Sequence, residues 1–132
     1  MVILSGSAKN SGFEARILRE MHERVIKGFM DVIIMTELRK GPLSGYDVIS
    51  YINAKFNLLV SSGTVYSLLY SLERNDQVEG VWKERERTYK LTNKGEETIS
   101  TILNAQEKIK AFLANILKPQ PDFSSSAHKS KR

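Results

Sequence analysis

Cysteine is absent from the 132 residues, which excludes disulfides, thiolate metal sites and a cysteine nucleophile. Histidine is nearly absent: His22 and His128 stand far apart with no ligand spacing around them, so neither a metal centre nor a Ser–His–acid set is expected. The glycine-rich stretch Gly41-Pro42-Leu43-Ser44-Gly45 lacks the Gly-Lys-Ser/Thr that would make it a phosphate-cradling loop. These gaps exclude the common catalytic inventories, so the chain is not expected to be an enzyme or to hold a cofactor. No apolar run approaches the ~20 residues needed to cross a bilayer. Met1-Val2-Ile3-Leu4 is too short for the core of an export signal and has no basic residue before it. The expectation is a cytoplasmic protein without a membrane partner. Proline occurs only at Pro42, Pro119 and Pro121, each a stop for a helix that reaches it.

What is present is ordinary in amount and informative in placement. The chain is 41% hydrophobic and 27% charged, typical of one small globular domain. Its net charge of +5 points loosely to nucleic acid, but residues 30–92 carry eight basic and eight acidic side chains. The excess sits in the flanks, +2 over residues 1–29 and +3 over residues 93–132. A nucleic-acid partner must therefore be argued from local placement of charge, not from the total.

The first twelve residues, rich in Ser, Gly and Asn, are expected to form a flexible N-terminus. Helical spacing then predicts a long helix from Phe13 to Arg39. Its first half is amphipathic, with Ile17 and Met21 on the apolar side; its second half is apolar almost all round. Such a helix needs more cover than one small domain supplies, which implies a partner subunit. Gly41-Pro42 ends it. Ser44 is placed to cap a second helix, Gly45 to Phe56, expected to bury Tyr46, Ile49 and Ile52 or their near neighbours.

A third helix opens with the capping residues Ser61 and Ser62 and runs towards Asn75-Asp76, residue types that tolerate the left-handed conformation of a helix end. Val65, Leu68, Leu69 and Leu72 give it one apolar stripe. The opposite face carries Thr64, Tyr66, Ser67, Tyr70, Ser71 and Arg74, with no carboxylate, and so is built to touch something. Val78–Lys83 and Arg87–Leu91 read as a two-stranded hairpin around Glu84-Arg85-Glu86, with Trp82 expected to pack it against the domain. Thr92 then caps a final helix over residues 93–118, where Ile99, Ile102, Ile109, Phe112, Leu113 and Ile116 recur at helical intervals. Residues 119–132 are expected to be a disordered basic tail. The fold class is mainly α with a small β-hairpin: a winged helix-turn-helix over residues 13–92, with a long C-terminal dimerisation helix. That arrangement presents its third helix to the DNA major groove.

At GPLSGYDVI (Gly41–Ile49), SSGTVYSLLYSLE (Ser61–Glu73), VEGVW (Val78–Trp82) and YKLTNKGEE (Tyr89–Glu97), the chain resembles the PadR-like family of winged-helix transcriptional regulators, in its compact branch with one C-terminal helix. The resemblance spans roughly residues 25–100. It implies a homodimeric regulator of double-stranded DNA, usually a repressor. It places Ser62, Gly63, Thr64 and Tyr66 at the DNA-approaching start of the recognition helix, Tyr46 at the family's Gly-Tyr position, and Arg85 and Arg87 in the wing. It also places Asp76 where glycine is usual.

The expected DNA-contact set is Ser44, Tyr46, Ser61, Ser62, Gly63, Thr64, Tyr66, Ser67, Tyr70, Lys83, Arg85 and Arg87. Hydroxyls and free backbone N–H groups at a helix start suit phosphates and base edges; the plain alternative is that Ser61 to Thr64 only cap the helix. The wing cations suit phosphates or a narrow minor groove, although Glu84 and Glu86 between them fit an ordinary solvated hairpin. The expected dimer interface is Ile17, Met21, Ile99, Ile102, Ile109, Phe112, Leu113 and Ile116. The alternative function is a winged-helix protein-interaction module, which the neutral core permits. A small-molecule effector is possible in a cavity near Phe112 and the first-helix methionines, but no residue names one.

Overall fold

The computed structural model describes residues 4–119. Helices α1 (Leu4–Gly28) and α2 (Met30–Leu38) are followed by β1 (Leu43–Ser44), α3 (Gly45–Phe56), α4 (Ser62–Arg74), β2 (Val78–Lys83), β3 (Glu86–Leu91), α5 (Asn93–Asn104) and α6 (Gln106–Leu117). The chain divides into two compact units, Met1–Ile99 and Ser100–Arg132.

The long first helix departs from expectation at both ends of its first half. It begins at Leu4 rather than near Phe13, because no proline interrupts residues 4–12 and Gly6 and Gly12 weaken a helix without stopping it. It also breaks at Phe29, which has φ −112° and ψ 18°. The hydrogen-bond ladder still crosses the break, from Phe29 N to Val25 O (3.0 Å) and from Ile33 N to Phe29 O (2.9 Å). The tail expected over residues 119–132 lies outside the described residues from residue 120 onward.

Unit 1 has its core where α2, α3, α4 and the sheet meet. Met30, Ile34, Met35 and Leu38 of α2, Val48 and Ile52 of α3, and Val65, Leu69 and Leu72 of α4 are buried together with Val78, Tyr89 and Ile99. At roughly 1.5–3 kcal/mol for each fully buried large aliphatic, these side chains supply the main drive to fold. On α3 the pair Val48 and Ile52 takes the inward role; Tyr46, expected to be buried, is 69% exposed.

The sheet has three strands, not two, in the order β1-β3-β2. Leu43 and Ser44 pair antiparallel with Tyr89 and Thr88, a bridge of two residues that is too short to show alternation. The β2–β3 register runs from Val78 opposite Leu91 to Lys83 opposite Glu86, which leaves Glu84-Arg85 as a two-residue turn. Glu84 sits at φ 61°, in the left-handed region that such turns require at a central position.

Helix α4 ends in a left-handed residue: Asp76 has φ 65°. Asp76 N donates to Glu73 O (3.0 Å) and Gln77 N to Leu72 O (2.8 Å), the paired bonds of a Schellman stop. Thr92 then ties the end of β3 to that stop. Its hydroxyl donates to Asp76 O (2.6 Å) and accepts from Gly95 N (2.9 Å), and Thr92 N donates to Gln77 O (3.1 Å). In unit 2, Ala105 separates α5 from α6, but Ala105 N still bonds Thr101 O (3.1 Å) and Ile109 N bonds Ala105 O (3.0 Å).

Candidate nucleic-acid interface

Helix α4 carries the candidate surface. Ser61, in extended conformation (φ −74°, ψ 148°), is its N-cap: Thr64 N donates to Ser61 Oγ (3.1 Å), and the Ser61 and Thr64 hydroxyls lie 2.9 Å apart. The cap consumes one backbone donor. The N–H groups of Ser62 and Gly63 fall in the first turn, ahead of any intrahelical acceptor, and point out of the helix start. Ser62, Gly63, Thr64, Tyr66, Ser67 and Tyr70 are all exposed, whereas Val65, Leu69 and Leu72 are buried. Inward and outward faces thus separate as the spacing predicts. The Arg74 guanidinium lies 5.1 Å from the Tyr70 ring centre and extends the polar face towards the helix end.

Tyr66 is positioned by a glycine on the neighbouring helix. Its ring lies directly over Gly45, so any side-chain carbon at that position would overlap the phenol. This close approach sets Tyr66 beside the start of α3, where Tyr46 stands exposed, and it accounts for the glycine at position 45.

Ser44 does not belong to the exposed set. It is 2% exposed, and its hydroxyl accepts from Asp47 N (3.0 Å) while its own N–H donates to the Asp47 carboxylate (3.1 Å). This reciprocal capping box starts α3, and with its side chain buried Ser44 is out of reach of DNA.

Arg87 is likewise drawn inward. Its Nη2 donates to Glu73 Oε2 (2.7 Å), the same oxygen that accepts from Gly80 N (3.3 Å). A side chain at Gly80 would strike the Arg87 guanidinium, so that glycine opens the path for the arginine to cross the hairpin. The guanidinium also lies 5.5 Å from the Tyr89 ring centre. Arg87 therefore fastens the wing to α4 rather than projecting from it. Lys83 and Arg85 remain exposed at the wing tip beside Glu84 and Glu86.

The two helices expected to meet a second subunit are exposed unevenly. Ile99 is fully buried inside unit 1, because α5 begins against the end of the winged-helix core; it is a core residue and not an interface residue. Ile17, Ile102 and Ile109 are half-buried. Phe13, Leu18, Met21 and Val25 on α1 are exposed, as are Phe112, Leu113, Ile116 and Leu117 on α6, with Ile116 at 72%. Trp82 also departs from expectation: it is 68% exposed and does not pack the wing onto the core.

Among the described residues there is no cluster of His, Cys, Asp and Glu able to hold a metal ion, and no helix long and apolar enough to cross a membrane.

Comparison with known proteins matches residues 34–101, just over half of the chain, to the transcriptional regulator PadR-like family. The chain belongs to this family. The PadR match runs from within α2 to within α5 and so includes the capping box, the candidate recognition helix and the wing. PadR-family proteins are transcriptional regulators, not enzymes. No curated protein sequence matches the chain. Among solved structures, a transcriptional regulator from Clostridium thermocellum is 27% identical, covering 72% of this chain and 96% of its own, with a TM-score of 0.61. A PadR-family regulator from Eggerthella lenta shares the fold at 17% identity and a TM-score of 0.67, over 81% of this chain and 97% of its own. A PadR-like regulator from Bacillus cereus does so at 22% identity and 0.61, over 74% and 99%.

Proposed function

We propose that the chain is a homodimeric PadR-family repressor that binds a pseudo-palindromic operator, with one α4 in the major groove of each half-site. The observation that carries this reading is the outer face of α4. It is exposed from Ser62 to Tyr70, rich in hydroxyls and free of carboxylates, and it opens with a first helical turn whose backbone N–H groups have no acceptor within the helix. Ser62, Gly63 and Thr64 approach phosphates and base edges, while Tyr46, Tyr66, Ser67 and Tyr70 flank them. Lys83 and Arg85 neutralise phosphates from the wing. Ser61 serves mainly to hold the helix start.

The exposed apolar side chains on α1 and, separately, those on α6 favour the dimer, since exposed apolar side chains grouped on one helix suit an interaction site. Half-sites should then lie about one helical turn, roughly 34–36 Å, or a multiple of it apart. Binding would occlude a promoter, and any effector would act by changing the angle or spacing of the two recognition helices.

Duplex binding measured at two salt concentrations tests the reading. Affinity should fall steeply with salt because neutralised phosphates release counterions. Failure to bind any promoter fragment, including the protein's own, would overturn it in favour of a protein-interaction module.

A further inference from the structure

Trp82 is the only tryptophan in the chain, and two-thirds of it faces solvent. Tryptophan is highly buried on average, and this one sits in an ordered strand without contributing to the core. The hairpin register explains its position. Gly80, Trp82, Arg87 and Tyr89 share one face of the sheet, with Gly80 opposite Tyr89 and Trp82 opposite Arg87. Nearer the core that face is filled, since Tyr89 is buried and Arg87 occupies the space left by Gly80. At Trp82 the packing runs out.

The indole instead lines an open groove of about 310 Å³ together with Tyr46, Tyr66, Arg85 and Arg87. The groove joins the start of α3, the first turns of α4 and the wing. Its exposed groups are flat rings edged by hydrogen-bond donors: two phenols, an indole N–H and a guanidinium. Glu86 is its one carboxylate. Flat apolar faces with donors at their rims match a sugar–phosphate strand, whose deoxyriboses pack against rings and whose phosphates only accept hydrogen bonds.

We infer that Trp82 is a DNA-contact residue, laying its indole against the backbone strand beside the recognition helix and donating Nε1–H to a phosphate. The inference rests on the DNA reading above and adds a neutral contact to the wing's cationic ones. Being uncharged, Trp82 contributes affinity without releasing a counterion.

Because the chain has one tryptophan, its emission reports this site alone. The full-length protein is titrated with a labelled duplex selected by the protein from genomic fragments, reading label anisotropy and tryptophan emission together. Emission should change in step with anisotropy, and acrylamide quenching should fall on binding. Trp82→Ala should weaken binding at least about tenfold, as expected for hydrogen bonds to charged groups, with the salt slope unchanged. Trp82→Phe, which keeps a ring and loses the N–H, should fall between, and circular dichroism checks that both variants fold.

Binding by anisotropy without any emission change, or full affinity in Trp82→Ala, overturns the inference and leaves the DNA reading intact. A loss of affinity with a shallower salt slope also overturns it, since the effect would then run through Arg85. No binding by the unaltered protein overturns both.

Discussion

The ion pair between Arg87 and Glu73 ties the wing to α4. Glu73 Oε2 accepts from both Arg87 Nη2 (2.7 Å) and Gly80 N (3.3 Å), and the two side chains are 31% and 27% exposed. A fully exposed ion pair contributes about 0–1 kcal/mol, while removing one partner of a buried pair costs about 3–5 kcal/mol. With roughly a third of each side chain exposed, the pair is partly screened, and its coupling energy should be about 1.5 kcal/mol, within the range for residues in direct contact. Glu73→Ala should cost more, about 2–3 kcal/mol, because it strands the guanidinium, whose buried Nε already has no acceptor, and also the Gly80 N–H. Arg87→Ala should cost about 1–2 kcal/mol. The double variant should then be less destabilised than the two singles added together, by about 1.5 kcal/mol.

Urea unfolding at fixed protein concentration, followed by circular dichroism, measures all three variants. A coupling below about 0.5 kcal/mol would refute the reasoning and reduce the contact to an ordinary surface pair. DNA binding adds a second check. If Arg87 acts by fastening the wing, Arg87→Ala weakens binding with an unchanged salt slope, whereas a direct phosphate contact would lower the slope by about one per subunit engaged.

Two further substitutions address stability and assembly. Asp76→Gly should stabilise the protein by about 1 kcal/mol in thermal unfolding, since it relieves a left-handed non-glycine residue and removes a negative charge from a helix C-terminus; unchanged or lower stability would argue against that account of the α4 stop. Ile116→Glu places a charge on the exposed apolar face of α6 and should shift sedimentation from dimer to monomer while leaving the helical circular dichroism of the winged-helix unit in place. A dimer as tight as the original would remove that face from the proposed interface.

The architecture was legible because the relevant elements are long and periodic. The stripe of Val65, Leu69 and Leu72 and the bounds of α3 followed from spacing and capping residues alone. β1 escaped because two residues carry no period, and its partner β3 is distant in sequence. The errors at individual residues share one physical cause. Ser44, Ile99 and Trp82 are each chemically suited to the role expected of them, and only the packing around them decides whether they fill it. A serine that caps a helix and a serine that meets phosphate are the same residue until its burial is known. Gly80 is a usable signal for Arg87: a glycine in mid-strand marks a close approach, and the arginine opposite the next same-face position towards the turn is a candidate to make it. Nothing comparable in the sequence marked Trp82 as exposed.

The clasp at Thr92 fastens the C-terminal end of α4, the candidate recognition helix. Directional hydrogen bonds grip its C-terminal end, where Thr92 meets Asp76 and Gln77 and Gly95 lets the first turn of α5 close onto Gln77 O. Towards its start it is held by the apolar stripe, by the Tyr66 ring seated over Gly45, and by Val60 N donating to Asn53 Oδ1 (3.1 Å) just before the helix. The effect of a small rotation about the clasped end can be sized from the length of the helix. Its thirteen residues span about 20 Å at 1.5 Å per residue, so a rotation of about 3° about that end displaces the Ser62 tip by about 1 Å. That is enough to carry a hydrogen bond out of range, so a movement too small to disturb the core could still decide whether the tip reads DNA.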